Sequence, residues 1–195
     1  MGHKPLLIVF AGPNGSGKST LAEEMRANDP GFPSLYINVD DIAREKKIGA
    51  IEAATEATRQ RAEAVAHKRS FAIETVLSTQ EKIDFLKDAK RAGYTIVLLY
   101  ITTQSQKINV KRIQTRVAMG GHHVPPEKTS LRYDRSMTLL AGALKLADIA
   151  SIYNNSFEQP LLIAEKTREG QLVIYPQEPP SIWDIAHIRK LVGLS

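Results

Sequence analysis

Short apolar runs alternate with amphipathic stretches along most of this chain. Five runs have the continuous apolar or β-branched character of buried strands, and they lie at residues 6–11, 34–38, 71–76, 94–101 and 148–154. Helical patterns lie between and after them, at about residues 17–28, 51–68, 79–93, 105–121 and 126–147. This alternation predicts an α/β fold with a parallel sheet, right-handed crossovers and helices on both faces.

Two of the predicted helices have a more specific pattern. In the 51–68 stretch, helical spacing places five residues on one face that we expect to be buried: Ile51, Ala54, Thr58, Ala62 and Val65. The 79–93 helix is expected to begin after Thr79, acting as its N-cap, and to end at Gly93.

The pattern changes after Asn155. The runs at 161–166 (LLIAEK) and 171–175 (QLVIY) flank the polar stretch TREG, which predicts an antiparallel hairpin. Residues 179–193 then predict a closing helix with Ser181 as its cap. No repeat, low-complexity tract or linker interrupts the sequence, so we expect one domain of residues 1–195.

Composition narrows the class of protein. The chain has 195 residues, of which 43% are hydrophobic and 24% charged, and it has no cysteine, which excludes disulfides, thiolate zinc sites and a cysteine nucleophile. A net charge of +5 suits either nucleic acid or phosphorylated small molecules as partners. No apolar run reaches the length of a signal-peptide core or a membrane span, so we expect a cytoplasmic protein without a membrane partner.

A phosphate-binding motif follows the first predicted strand. The stretch GPNGSGKST fits the pattern G-x-x-x-x-G-K-[ST] at residues 12–19, between a buried strand and a helix start. Its backbone N–H groups and the helix N-terminus would bind the phosphates of ATP or GTP, with Lys18 on the β- and γ-phosphates and Ser19 on Mg²⁺. The predicted nucleotide-binding residues are Gly12, Pro13, Asn14, Gly15, Ser16, Gly17, Lys18, Ser19 and Thr20.

Other signatures are missing from the sequence, and this limits the choice of nucleotide-binding class. There is no LSGGQ-like helix start and no apolar strand ending in Asp-Glu, which an ABC-type ATPase should have. There is no Asn-Lys-x-Asp guanine reader, which a GTPase should have. The remaining class is a small phosphoryl-transfer kinase, whose acceptor site the rest of the chain must supply.

Two carboxylates occupy strand ends where ligands of open α/β sheets bind. Asp40 follows the second predicted strand and is placed to accept a proton from an attacking hydroxyl, unless it is only a helix cap. Asp41 is expected to be a cap or an N-terminal helix charge. Glu74 lies at the end of the third strand and could hold the acceptor's hydroxyls, or a water on Mg²⁺, or simply face solvent. Thr75 is assigned with it to the predicted acceptor site.

Taken in order, several motifs resemble the zeta toxin family of P-loop kinases in its compact form. They are GPNGSGKST, NVDDIA, FAIETVLS, AGYTIVLLYI, RVAMGGHHVP and RYDRS, and together they cover about residues 6–156. The resemblance implies a P-loop kinase-like fold and transfer of phosphate from ATP or GTP to a sugar nucleotide, for which UDP-N-acetylglucosamine is best attested. It implies that Asp40 is the general base, that Glu74 orients the acceptor, and that an antitoxin protein is a possible partner.

The stretch around MGGHHVPPEKTSLRYDRS is predicted to be a lid of about residues 112–136. Arg112 and Arg116 are four residues apart on the incoming helix, and Arg132 and Arg135 are three apart on the outgoing one. By resemblance, Arg116 with Arg132 or Arg135 would neutralise charge on the transferred phosphoryl group, unless these arginines only form a solvated helix face. His122 is expected to hydrogen-bond the substrate or a lid carboxylate, or to be a plain loop histidine, rather than to bind a metal, because no matching ligand spacing accompanies it.

Two rival functions remain open on the sequence. One is a metabolic nucleoside, nucleotide or small-alcohol kinase that is not a toxin and uses the same site. The other is a nucleic-acid-associated ATPase, which the basic charge allows but which the lack of aromatic residues among the basic stretches makes unexpected. At the end of the fifth strand, Asn154 or Asn155 is a candidate contact to a base or to a loop, unless the two residues only form an ordinary turn.

Overall fold

The computed structural model describes residues 4–119 and 125–175 of the chain. Within these ranges the chain forms a strand-and-helix alternation followed by two further strands. The elements are β1 (Leu6–Ala11), α1 (Lys18–Asn28), β2 (Leu35–Ile37), α2 (Val39–Lys46), α3 (Ala50–Ala66), β3 (Phe71–Thr75), α4 (Gln80–Arg91), β4 (Thr95–Thr102), α5 (Gln106–Ala118), α6 (Pro126–Leu146), β5 (Ile149–Asn154), β6 (Leu161–Lys166) and β7 (Leu172–Ile174).

All described strands belong to one sheet in the order β2-β3-β1-β4-β5-β6-β7. The first five strands pair in parallel, and β6 and β7 add to the β5 edge as an antiparallel hairpin. The predicted α/β class, its parallel sheet and its C-terminal hairpin are therefore confirmed. The closing helix predicted for residues 179–193 lies outside the described residues.

The two faces of the sheet have separate cores, as the alternation of side chains along a strand requires. On β1, Leu7, Val9 and Ala11 pack on the face that also buries residues of α2, α3, α4 and α6. Ile8 and Phe10 point to the opposite face, against α1. Because β1 is buried on both faces, its apolar residues run without interruption, which is the pattern seen in the sequence.

The predicted buried face of α3 is wrong. Ile51, at the start of the predicted face, is 84% exposed, and Ala54, Thr58 and Ala62 are exposed while Val65 is only half-buried. The buried side consists of Ala53, Ala57, Arg61 and Ala64. Alanines occur on every side of this helix, so hydrophobic spacing alone did not distinguish the two faces, and small side chains on the buried one allow close packing.

Candidate active site

The loop after β1 has a backbone that only glycine adopts easily at three positions, one of which is Gly15 with φ +75°. Gly12 has φ +139° and Gly17 has φ +101°, both in the region that side chains disfavour. A Cβ on Gly12 would lie 1.9 Å from the carbonyl oxygen of Ile101 on β4. The loop, residues 12–19, is thereby fixed at the carboxyl end of the central strand, with α1 beginning at Lys18. We call it the phosphate loop.

Lys18 is held inside this loop. Its Nζ donates a hydrogen bond to the carbonyl oxygen of Pro13 at 2.9 Å, and the residue is only 9% exposed. Burial lowers the pKa of Lys18 to about 8, the negative charges of Glu74 and Asp40 act against this, and the positive charge of Arg116 adds to it. The ammonium group is thus poorly solvated and close to charges of both signs, as a group that binds phosphate should be.

Glu74 is held by three side-chain donors. Ser19 Oγ donates to Glu74 Oε2 at 3.0 Å, and Asn38 Nδ2 donates to Oε1 at 2.8 Å. The Tyr36 hydroxyl also donates to Oε1. Burial and the charge of Glu74 raise the pKa of Tyr36, so its phenol stays protonated and remains a donor. The alternative that Glu74 simply faces solvent is wrong, because the half-buried carboxylate links β2 and β3 to the phosphate loop.

Asp40 lies in the first turn of α2 and not at the end of a strand, because β2 ends at Ile37. The cap of α2 is Asn38, whose Oδ1 accepts from the backbone N–H of Asp40 at 2.8 Å. The alternative that Asp40 is only a cap is therefore wrong. Asp41 is a first-turn charge that pairs with Arg44, whereas the exposed Asp40 acts electrostatically on Lys18.

Thr75 supports the backbone at the end of β3. Its carbonyl oxygen accepts from Gly12 N–H at 3.2 Å, and its Oγ1 accepts from Leu77 N–H at 3.1 Å. Leu77 has a left-handed backbone with φ +55°, which that hydroxyl helps to hold. The hydroxyl of Thr75 can still donate a hydrogen bond, so its contact to the phosphate-accepting substrate stays a prediction.

The four arginines are distributed over α5 and α6. Arg116 is exposed, and its charge acts on Lys18. Arg112 and Arg132 are half-buried, and Arg135 is exposed. Among the residues that the structure describes, neither Arg132 nor Arg135 is one of the charges acting on Lys18. His122 lies outside the described residues, so its predicted substrate contact stays a prediction.

Sequence reasoning missed Asn109 and only partly anticipated Asn155. Asn109 Nδ2 donates to the carbonyl oxygen of Asn14 at 2.7 Å, and Asn155 Nδ2 donates to that of Ser16 at 2.8 Å. Of the two contacts predicted for Asn155, to a base or to a loop, the structure shows the one to a loop, and this is the phosphate loop. Tyr36 and Asn38 were missed as well, although both belong to the predicted second strand that leads to Asp40.

The residues around Ser19 suit Mg²⁺ better than a transition metal. A serine hydroxyl and a carboxylate are oxygen ligands, and Mg²⁺ binds few protein groups while keeping several waters. Within residues 4–119 and 125–175 no group of three or more His, Asp or Glu side chains could hold a metal ion. Ser19 and Glu74 therefore offer oxygen atoms of the kind that Mg²⁺ binds.

The fold and the phosphate loop together define a P-loop protein of kinase-like architecture. A family model described as an AAA domain matches residues 7–140. The chain belongs to this family. A Haemophilus influenzae protein without a functional name is 32% identical over 131 residues, which cover 65% of this chain and 91% of that protein.

Solved structures share the fold at low sequence identity. The AvrRxo1-ORF1:-ORF2 complex with ATP is 16% identical, with a TM-score of 0.63 over 89% of this chain and 61% of that one. The chain therefore spans less than two thirds of that relative. A structure from the PezAT chromosomal toxin-antitoxin system of Streptococcus pneumoniae is 15% identical, with a TM-score of 0.57 over 100% of this chain and 80% of that one.

None of the helices in the described part of the chain is both long and apolar enough to cross a membrane.

Proposed function

We propose that this protein is an ATP-dependent kinase that transfers the γ-phosphate to a hydroxyl group of a sugar nucleotide such as UDP-N-acetylglucosamine. The observation that carries the proposal is that Glu74 binds Ser19 Oγ of the phosphate loop at 3.0 Å, at the carboxyl edge of the sheet, while the charges of Glu74, Asp40 and Arg116 all act on Lys18. A site that only binds nucleotide needs the phosphate loop. The added pair of carboxylates supplies the groups that a hydroxyl acceptor requires.

In this proposal Asp40 is the general base. The acceptor oxygen attacks the γ-phosphorus, the bond from that phosphorus to the β–γ bridging oxygen breaks, and the hydroxyl proton passes to Asp40. Its exposed carboxylate is open to a substrate, and the charge of Lys18 lies within its field. Glu74, by contrast, already accepts three hydrogen bonds, which suits a group that orients rather than one that changes its protonation state.

The positive groups stabilise charge on the transferred phosphoryl group. Lys18 is assigned to the β- and γ-phosphates, and Arg116 to the equatorial oxygens as charge builds there. Arg132 and Arg135 are proposed to contribute from α6. Two buried loop atoms, Asn14 Oδ1 and Ser16 Oγ, have no hydrogen-bond partner among the described residues. Such atoms are usually paired, so they support a loop that receives a ligand.

The cofactor in this proposal is Mg²⁺ bound with ATP or GTP. When bound, the ion neutralises the phosphate oxygens during transfer. The residues that would hold it are Ser19 directly and Glu74 through water. The Ser19–Glu74 hydrogen bond of 3.0 Å favours this assignment, because it places the two oxygen atoms that would hold the ion, Ser19 Oγ and Glu74 Oε2, next to each other at the phosphate loop.

The biological role we propose is that of a cytoplasmic toxin kinase with an antitoxin partner, as in the zeta toxin family. The fold shared with the PezAT toxin-antitoxin structure supports this role. The same site would serve a metabolic kinase with a nucleotide-linked alcohol as substrate. Growth after induced expression separates the two, because a toxin arrests growth and its Lys18→Ala variant does not.

The direct test uses ATP or GTP labelled at the γ-phosphate. The protein is incubated with each nucleotide, Mg²⁺ and UDP-N-acetylglucosamine, and in parallel with a panel of nucleosides, nucleotides and sugar alcohols. Mass spectrometry of the product identifies the acceptor. We expect label on a sugar nucleotide and none with Lys18→Ala. Transfer to another class of acceptor would overturn the substrate assignment, and hydrolysis without any acceptor dependence would overturn the kinase.

A further inference from the structure

Helix α5 is attached to the phosphate loop by a buried side chain. Asn109 is 0% exposed, and its Nδ2 donates to the carbonyl oxygen of Asn14 at 2.7 Å. Its Oδ1 accepts a hydrogen bond from Thr103 Oγ1. Both ends of the amide are therefore used, and the donor end can point only toward the loop.

The helix also packs directly on the loop at the next residue. A Cβ on Gly15 would lie 2.8 Å from the carbonyl oxygen of Asn109 and 3.2 Å from Cγ1 of Ile113. Gly15 has φ +75°. Ile113 is buried as well, so one face of α5 approaches the loop backbone with no room for a side chain between them.

Arg116 belongs to the same face of this helix. It follows Asn109 by seven residues, which is close to two full helical turns, and it follows Ile113 by three. The side chain is exposed. The side chain of Arg116 makes no hydrogen bond or ion pair among the residues that the structure describes, so the position of its guanidinium depends on where the helix backbone lies.

We propose that Asn109 is a positioning residue, which docks α5 on the phosphate loop and thereby sets the place of Arg116 relative to the transferred phosphoryl group. The role of Arg116 in this inference rests on the proposed kinase function. Asn109 itself does not touch the substrate in this arrangement, since it is buried and the two ends of its amide bind Thr103 and Asn14. Its effect on the rate is therefore expected to pass through Arg116.

The test is a double-mutant cycle of Asn109→Ala and Arg116→Ala, read by single-turnover transfer and by ATP affinity. We expect Asn109→Ala to slow transfer by about 10- to 100-fold, as a displacement near 1 Å can do, with ATP affinity nearly unchanged. The double variant should be no slower than Arg116→Ala alone. Losses that multiply would overturn the proposal, and so would equal losses in affinity and rate.

Controls separate docking from folding and from the proposed chemistry. Thr115→Ala removes a bond to Lys111 that lies within the helix, and it should leave the rate unchanged. If Asn109→Ala does not fold, Thr103→Val replaces it in the double-mutant cycle, because Thr103→Val removes the hydroxyl that orients the side-chain amide of Asn109. Hydrogen exchange of the loop amides at residues 14–16 should rise in either variant even if no acceptor is found, and unchanged exchange would overturn the docking itself.

Discussion

The phosphate loop lies between two regions that are built in different ways. On one side, the ends of β2 and β3 and the start of α2 carry Tyr36, Asn38, Asp40 and Glu74, and we call this the acidic side. On the other side, α5 and α6 carry Arg112, Arg116, Arg132 and Arg135, and we call this the arginine side. On the acidic side, Tyr36 and Asn38 donate to Glu74, and Asn38 also accepts from the backbone N–H of Asp40. On the arginine side, Arg116 and Arg135 are exposed.

The difference fits the order in which the two sides are needed. A carboxylate that orients a ligand has to be in place before the ligand binds, and Glu74 is fixed by three donors. An arginine that meets charge only as the phosphoryl group moves needs a correctly placed helix more than partners in the resting state. In α5 that placement comes from Asn109, which is buried two helical turns before Arg116 and binds the phosphate loop.

The largest effect is expected at the centre, where both sides meet. Lys18→Ala should abolish transfer, because the cation on the β- and γ-phosphates is lost. Without nucleotide, the variant should stay folded, and its Tm should equal that of the parent or exceed it by a few degrees. The reason is that the substitution removes a cation whose burial is unfavourable, as its lowered pKa indicates. Transfer assays and thermal melts measure both. Near-normal turnover would refute the phosphate-loop assignment.

On the acidic side, Asp40→Asn should slow the chemical step by about 10²- to 10⁴-fold, the usual contribution of general base catalysis. ATP binding should change little. The matched control is Asp41→Asn, which alters the adjacent carboxylate that pairs with Arg44 and should leave the rate within about twofold, as expected for a surface pair. Single-turnover transfer gives the comparison. A loss below about tenfold for Asp40→Asn would contradict its assignment as base.

On the arginine side, Arg116→Ala and Arg132→Ala should each lower turnover by about 10²-fold or more while ATP affinity stays within a few-fold. Arg116→Lys should restore little, because the bidentate fork is lost. Lys111→Ala, an exposed cation on the same helix, is the control. Calorimetry and single-turnover transfer separate the cases. Normal turnover in either alanine variant would remove that arginine from the proposed mechanism.

A smaller effect should follow from loosening Glu74. Tyr36→Phe removes one of its three donors, and we expect transfer to fall by about tenfold, as for the loss of one hydrogen bond to a charged group. Tyr175→Phe is a matched control, because Tyr175 donates to Glu165 at 2.6 Å on the β6–β7 hairpin. Rate measurements on both variants decide the point. Equal effects would mean that Tyr36 acts only on the fold.

The smallest effect concerns pH. In the protein without nucleotide, the ammonium form of Lys18 is lost as pH rises through its pKa of about 8. Bound phosphates favour the charged form, so nucleotide affinity should fall by about tenfold per pH unit at most above that pKa. Calorimetric titrations between pH 7 and pH 9 would measure the slope. A flat profile in the parent, equal to that of Lys18→Ala, would contradict this prediction.

The sequence by itself determined the fold and the position of the phosphate loop. Continuous apolar runs such as Leu6–Ala11 predict buried parallel strands, and the intervening helical spacing predicts crossovers. The glycines of the loop mark the backbone turns directly, because φ values such as +139° at Gly12 exclude other residues. The placement of Glu74 at the carboxyl ends of the parallel strands followed from its position at the end of the predicted third strand.

Only the tertiary structure decided which side chains meet. Asn109 and Asn14 are 95 residues apart in the chain, and Asn38 and Glu74 are 36 apart. No local pattern marks such pairs, since asparagine and tyrosine in a loop or helix have ordinary local roles. The buried face of α3 was decided in the same way. Where alanine occupies every side of a helix, the partner surface and not the periodicity selects the face that packs.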